Sequence, residues 1–238
     1  MYREQGVVLR TWRLGETDRI VSLLTLGRGK VRAVAKGVRK PGSRFGARLE
    51  PTSHVALLLY EGRSLDTITQ ADAVETFRDL RENLEAITGA LALLEVTDQV
   101  AQEQEANPQL FRMLVGALRT LDQDPSPLLV PAYFWKLLSL EGFHPLVDVC
   151  VRCETPYGLV ALVPELGGAV CAACAPQTPG PDAGSALEVV QRILGGGLRA
   201  ALTEPVSSVT KEVERLAVRA VEFHLERRLR STALLGAH

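Results

Sequence analysis

The hydrophobic period of this chain changes once, near residue 74, and that change decides most of what the chain can fold into. Before it, short aliphatic and β-branched runs are cut by Gly, Asp and Pro: GVVLRTW (6–12), RIVSLLTL (19–26), KVRAVAKG (30–37), SHVALLLYEG (53–62) and SLDTITQA (64–71). After it, apolar residues recur at steps of three and four. Strands gathered first and helices afterwards specify an α+β protein. Five short strands suit a small barrel, and in the third run Val31, Ala33 and Ala35 share one face while Lys30, Arg32 and Lys36 share the other.

Phe77, Leu80, Leu84, Ile87, Leu91 and Leu94 predict one long amphipathic helix reaching about Glu105, with Asn107-Pro108 as its stop. Leu110, Phe111, Leu114, Leu118 and Leu121 predict a second, PAYFWKLLSLEG (131–142) a third, and SALEVVQRILGG and VTKEVERLAVRAVEFHLERRLRS two more. The stripe Val213, Leu216, Ala217, Ala220, Val221 and His224 should pack on the bundle. The expected domains are a barrel over 1–73, helices over 74–146, a cysteine knuckle over 147–177 and helices over 184–238, with APQTPGPDAG (175–184) as a linker. No apolar run approaches the ~18 to 20 residues that span a bilayer, and no signal-peptide core follows Met1. The sequence therefore reads as cytosolic, with no membrane partner.

The formal net charge is only -1, yet residues 1–48 carry twelve Lys/Arg against Glu4, Glu16 and Asp18, a local +9 that leaves -10 for the remainder. GRGKVRAVAKGVRKPGSRFGAR (27–48) holds eight of those cations and no acid. A merely solvated face is the plainer reading, but uncompensated charge of one sign sets what docks there. Within it, VRKPGSRFGARLEP reads as a mobile basic loop. Lys30, Arg32, Lys36, Arg39, Lys40 and Arg44, with Trp12, Phe45 and Tyr60 nearby for stacking, make a groove for a polyanion, best matched by single-stranded nucleic acid on an OB-fold. Nothing here resembles a base-reading helix, so charge would supply affinity without sequence specificity.

All four cysteines fall in one doubled motif, Cys150-x2-Cys153 and Cys171-x2-Cys174. A CxxC turn aims two sulfurs at one point, and two such turns complete a tetrahedral Zn2+ site. The insert GLVALVPELGGAV supplies strand, turn and strand for a zinc ribbon. Two disulfides are the competing reading, disfavoured in a reducing compartment. Four protein ligands leave no open position, so the ion would be structural.

Catalytic constellations are missing. GRGK at 27–30 has Leu24 and Val31 where a Walker loop needs Gly and Ser/Thr, and His54, His144, His224 and His238 stand in no catalytic context. Glu16 and Asp18 could serve a Mg2+-dependent nuclease, but without a third acid nearby they read as turn chemistry. The chain is expected not to be an enzyme. An RNA-binding OB-fold protein with a zinc ribbon is the alternative binding class.

The stretch VVLRTWRLGETDRIVSLLTLGRGKVRAVAKGVRKPGSR resembles the start of the bacterial RecO family, with its Gly15 to Asp18 turn, its Gly29-Lys30-Val31 turn and its Ala35-Lys36-Gly37-Val38-Arg39 signature. GFHPLVDVCVRC is similar to that family's Gly-aromatic-x-Pro lead into the zinc cysteines. The resemblance covers nearly the whole chain. It implies a recombination mediator in DNA repair that binds single- and double-stranded DNA and anneals complementary strands. It further implies action with RecR to load RecA onto DNA coated by single-stranded-DNA-binding protein, in a cytoplasmic, nucleoid-associated setting. No residue here can be matched to the contact with that coat protein's tail.

Overall fold

A computed structural model describes residues 1–231, so His238 and the end of the last expected helical domain lie outside the described residues. The chain divides into two compact units, one spanning Met1–Gln123 and the other beginning at Asp124.

In the first unit, β1 (Tyr2–Leu14), β2 (Asp18–Thr25), β3 (Gly29–Ala35), β4 (His54–Tyr60) and β5 (Asp66–Glu75) close a barrel in the order β1-β2-β3-β5-β4. All pairings are antiparallel except β3 with β5, where Ala33 and Val34 lie beside Asp66 and Thr67. That is the order of an OB-fold. The barrel interior follows alternation, interrupted by bulges in the β1–β2 and β4–β5 ladders: Val21, Leu23, Val31, Ala33, Ala35, Val55, Leu57, Leu59 and Ile68 point inward and are buried. Outward-facing Val7 and Leu24 pair with each other and are also fully buried. They are covered because α2 (Leu84–Val100) packs on β1 and β2.

The long helix expected from residue 74 is two pieces. Strand β5 runs on to Glu75, Phe77 adopts φ 42°, and α1 (Arg78–Glu82) ends at Asn83, whose extended backbone breaks the helix. The Asn83 side chain then accepts from Ala86 N at 3.0 Å and starts α2. The break rotates the stripe, leaving Leu84 and Leu91 exposed while Ala86, Ala90, Leu93, Leu94 and Thr97 are buried. Helix α3 (Pro108–Gln123) buries Leu110, Phe111, Leu114, Leu118 and Leu121 as its spacing predicts.

The second unit holds α4 (Leu129–Leu140), a two-stranded hairpin of β6 (Leu159–Val163) and β7 (Gly168–Cys171), α5 (Ala183–Leu194), a short α6 (Leu198–Ala201) and α7 (Ser208–His224). Pro131 sits in the first turn of α4, where its missing N–H costs nothing. Ser207 opens α7 with a capping box to Thr210. That helix stops at His224, earlier than expected, because Leu225 caps it and Glu226 turns to φ 50°. Val213, Leu216, Ala217, Ala220 and Val221 are buried as expected, whereas His224 is half-exposed and stacks on Phe143 with centroids 4.3 Å apart. Among the described residues no helix is long and apolar enough to cross a membrane.

Candidate nucleic-acid interface and metal centre

The basic segment is ordered by its own turns. Asp18, at the start of β2, accepts from Gly37 N at 2.8 Å and from Thr17 Oγ1 at 2.9 Å. Arg39 N donates to Thr17 O at 3.0 Å, and Arg39 Nη1 to Glu16 O at 2.8 Å. The Gly15–Asp18 turn and the Lys36–Arg39 segment thus clamp each other at one rim of the barrel. Hydrogen bonds from Gly37 N–H and Thr17 hold the Asp18 carboxyl below the usual range, and the charges of Lys36 and Lys40 add to this. Glu16 and Asp18 do the turn work expected of them.

Residues 37–53 do not form a free loop. Phe45, expected as a stacking surface, is 1% exposed and sits with Leu49 inside the barrel core. A 3-10 turn at Gly46–Leu49 spaces these two anchors, so Arg48 between them and Arg44 just before them are held at the surface while the chain beneath is fixed.

The six expected phosphate ligands fall into separate groups. Lys30 Nζ donates to Asp98 O at 2.7 Å, and Arg32 Nε pairs with Glu103 at 2.6 Å, so both engage the C-terminal end of α2 and the segment after it. Ser22 Oγ reaches Asp98 Oδ1 at 2.7 Å in the same contact. Lys36, Arg39 and Lys40 cluster at the rim, and Arg44 lies over the Phe45 ring, 5.0 Å from its centroid. Register adds a feature on the outer wall: Trp12 pairs with Ile20, Ile20 with Val34, Val34 with Thr67, and Thr67 with Tyr60. This row alternates with the buried Val21, Ala33 and Ile68 and faces outward, half-buried or exposed along its length. Arg10 covers the Trp12 ring at 4.9 Å.

A charged group built on the buried His54, which local sequence does not announce, lies where β4, β5 and α3 meet. His54 Nδ1 is 2.9 Å from Glu75 Oε2, and Glu75 Oε1 accepts from Arg119 Nε at 2.7 Å. His54 also meets the Phe111 ring edge-on. The partners are 21 and 44 residues from Glu75 in the chain, so no motif could reveal them.

In the second unit, Cys150, Cys153, Cys171 and Cys174 bring their sulfurs within 4.8 Å of one another. Antiparallel β6 and β7 carry Cys171 to the site, and Val151 N donating to Ala169 O at 2.9 Å ties the first CxxC turn to that hairpin. Backbone N–H groups of Cys171, Arg152 and Cys153 point at the Cys150 sulfur and hold its thiol down to about 6, against the opposing effect of burial. The neighbouring thiols of Cys153 and Cys171 push Cys174 up to about 12. Four thiols so close cannot all ionise without a cation between them, and their donor set is that of a soft metal.

Barrel and four-sulfur knuckle together define an α+β protein of the OB-barrel and four-cysteine-knuckle class. The family models for the N-terminal and the C-terminal part of recombination protein O match residues 1–77 and 81–233. The chain is 39% identical over 239 residues to DNA repair protein RecO of Frankia casuarinae, covering 99% of this chain and 98% of that one. It is 40% identical over 242 residues to DNA repair protein RecO of a Nocardioides species, with 98% of each covered. The chain belongs to the RecO family of DNA repair proteins.

The depressed Asp18 carboxyl has a testable consequence. A folded-state value below the unfolded one, ~3.9, contributes stability that is present above the unfolded value and is lost as pH falls through the folded one. Asp18→Asn is therefore expected to lower the thermal midpoint at neutral pH and to match the native protein at acid extreme. A midpoint difference that stays constant down the whole pH range would show that the charge on Asp18 is not what holds the turn.

Proposed function

We propose that the protein is a non-catalytic recombination mediator that binds single- and double-stranded DNA on its barrel and anneals complementary strands. In this reading it acts with RecR, in the bacterial cytoplasm at the nucleoid, to load RecA onto DNA coated by single-stranded-DNA-binding protein. The observation that carries the reading is the rim cluster Lys36, Arg39 and Lys40, clamped in place beside the outward Trp12 row. A backbone fixed beneath the cations lowers the ordering cost of holding phosphates, and the Arg10 guanidinium lying over Trp12 offers a base a stacking plane that is indifferent to sequence. Arg44 extends the cationic path, while Lys30 and Arg32 border it and also fasten α2 to the barrel.

The proposed resident ion of the knuckle is Zn2+. A tetrahedron with Zn–S of about 2.3 Å has edges of about 3.8 Å, and Cys153 Sγ and Cys171 Sγ stand 3.7 Å apart. Four ligands close the site, so the ion would order the β6–β7 hairpin and leave no position for substrate.

Binding of single strands across a salt series tests the DNA reading. Four to six phosphate contacts give a log-log slope of roughly -3 to -4. Lys36→Ala with Arg39→Ala is expected to flatten it by about one to one and a half units and to weaken binding to all sequences alike. An unchanged slope in the folded variant would move the DNA site off this rim.

A further inference from the structure

We propose that Arg44, Arg48 and Arg81 form a dedicated pocket for one phosphate group. The cavity, about 420 Å³, opens between the Ser43–Arg48 turn, the ends of β4 and β5, and α1. That is ample for a phosphate with its sugar. The three arginines come from three places: the turn before the 3-10 segment, the segment itself, and helix α1.

Their partners show what they lack. Arg81 Nη2 donates to Ser53 Oγ at 2.8 Å and reaches Thr52 Oγ1 at 3.4 Å, Arg48 Nη1 donates to Arg44 O at 2.8 Å, and Arg44 lies over Phe45. None of the three is paired with a carboxylate among the described residues, whereas Arg19, Arg32, Arg119, Arg192, Arg215 and Arg219 all are. The one acid in the pocket wall, Glu75, already accepts from Arg119 with one oxygen and meets His54 with the other. The cavity is therefore left with positive charge and unused guanidinium donors, with Ser43 and Ser53 in its wall. Planar guanidinium forks match phosphate oxygens, and three around one cavity supply more charge than a single carboxylate would neutralise. Arg44 follows Lys40 by four residues in the same turn-rich segment, so the pocket adjoins the rim cations along the chain.

The ligand is a phosphate group of bound DNA, which rests on the reading that the barrel binds DNA. It could be a strand's terminal phosphate or an internal phosphodiester. The test is fluorescence anisotropy on the full chain with three single-stranded probes: an oligothymidylate with a terminal phosphate, the same oligomer with a terminal hydroxyl, and a circular strand. Arg48→Ala with Arg81→Ala is expected to weaken binding roughly tenfold and to flatten the salt slope by about 0.7, the value for one phosphate. Loss confined to the first probe assigns a terminal phosphate; equal loss with all three assigns an internal one. Native affinity and slope with every probe overturns the pocket. If the double variant fails to fold, Arg48→Ala alone, which removes only the bond to Arg44 O, is expected to give about a threefold loss, and no loss overturns the proposal equally. Broadening of the phosphorus NMR resonance of inorganic phosphate by the native chain, abolished in the variant, needs no DNA at all. The Lys36→Ala, Arg39→Ala protein run beside it separates the two ideas, since its failure to respond would sink the rim site and leave the pocket standing.

Discussion

Exchange of Cys150 for serine is expected to strip the metal from the chain and to unfold the knuckle around it. Cys150 is fully buried, and its sulfur gathers N–H groups from both CxxC turns, so it joins the two halves of the site. A serine oxygen is a harder and poorer ligand, and three thiolates close a tetrahedral site less well than four. A structural zinc supplies on the order of 10 kcal/mol of folding free energy, comparable with the whole net stability of an ordinary domain. The apolar cluster around the sulfurs is small, Cys150, Val170 and Cys171 with half-buried neighbours, so the packing of β6 on α5 and the backbone bonds of Leu146 to the hairpin hold its strands without ordering the two CxxC turns. Metal analysis should find about one Zn2+ per native chain and far less in the variant, with a much lower denaturant midpoint for the second unit. Protein prepared without chelator and free of zinc would reject the assignment. DNA binding should suffer only indirectly, because the cationic rim belongs to the other unit.

What the sequence reveals here depends on how local the cause is. Barrel strands are legible because one buried face imposes alternation, as Val31, Ala33 and Ala35 show, and the knuckle is legible because CxxC spacing is itself the chemistry. The closing of β3 on β5 is not legible, since it joins residues 33 apart through a pairing that leaves no periodic mark. Leu84 and Leu91 mislead because they fit a helical stripe that the Asn83 break has rotated away. Gly and Pro density hides the anchoring of the basic segment; its only trace is Phe45 and Leu49, two apolar residues four apart in a run of cations. The site is legible as charge but not as geometry. Nothing local tells Lys30, fastened to Asp98, from Lys36, beside Asp18 at the rim.

Gly29→Ala is expected to destabilise the first unit by about 3 kcal/mol or more, for two separable reasons. Gly29 adopts φ 66°, where a side chain is strained. It also has no room: a Cβ there would lie 1.9 Å from Glu105 O and 2.9 Å from Gln102 O. Those carbonyls cannot retreat freely, because Lys30 N donates to Gln102 O at 2.9 Å and Gln104 N to Lys30 O at 3.3 Å. The alanine must therefore undock the segment after α2, breaking both bonds and pulling Glu103 from Arg32. Losing the ion pair alone is a small matter, because it is half-exposed, and Arg32→Ala should cost less than about 1 kcal/mol. Gly42→Ala isolates the strain: its φ is 72° and nothing lies within 4 Å of its Cβ position, so it should cost only about 1 kcal/mol. The difference between the two glycine variants, read from denaturant midpoints, measures how firmly α2 and its tail are held on the barrel. Equal losses would mean that the 102–105 segment yields at no cost, and that Lys30 and Arg32 are as free to meet phosphates as the cations at the rim.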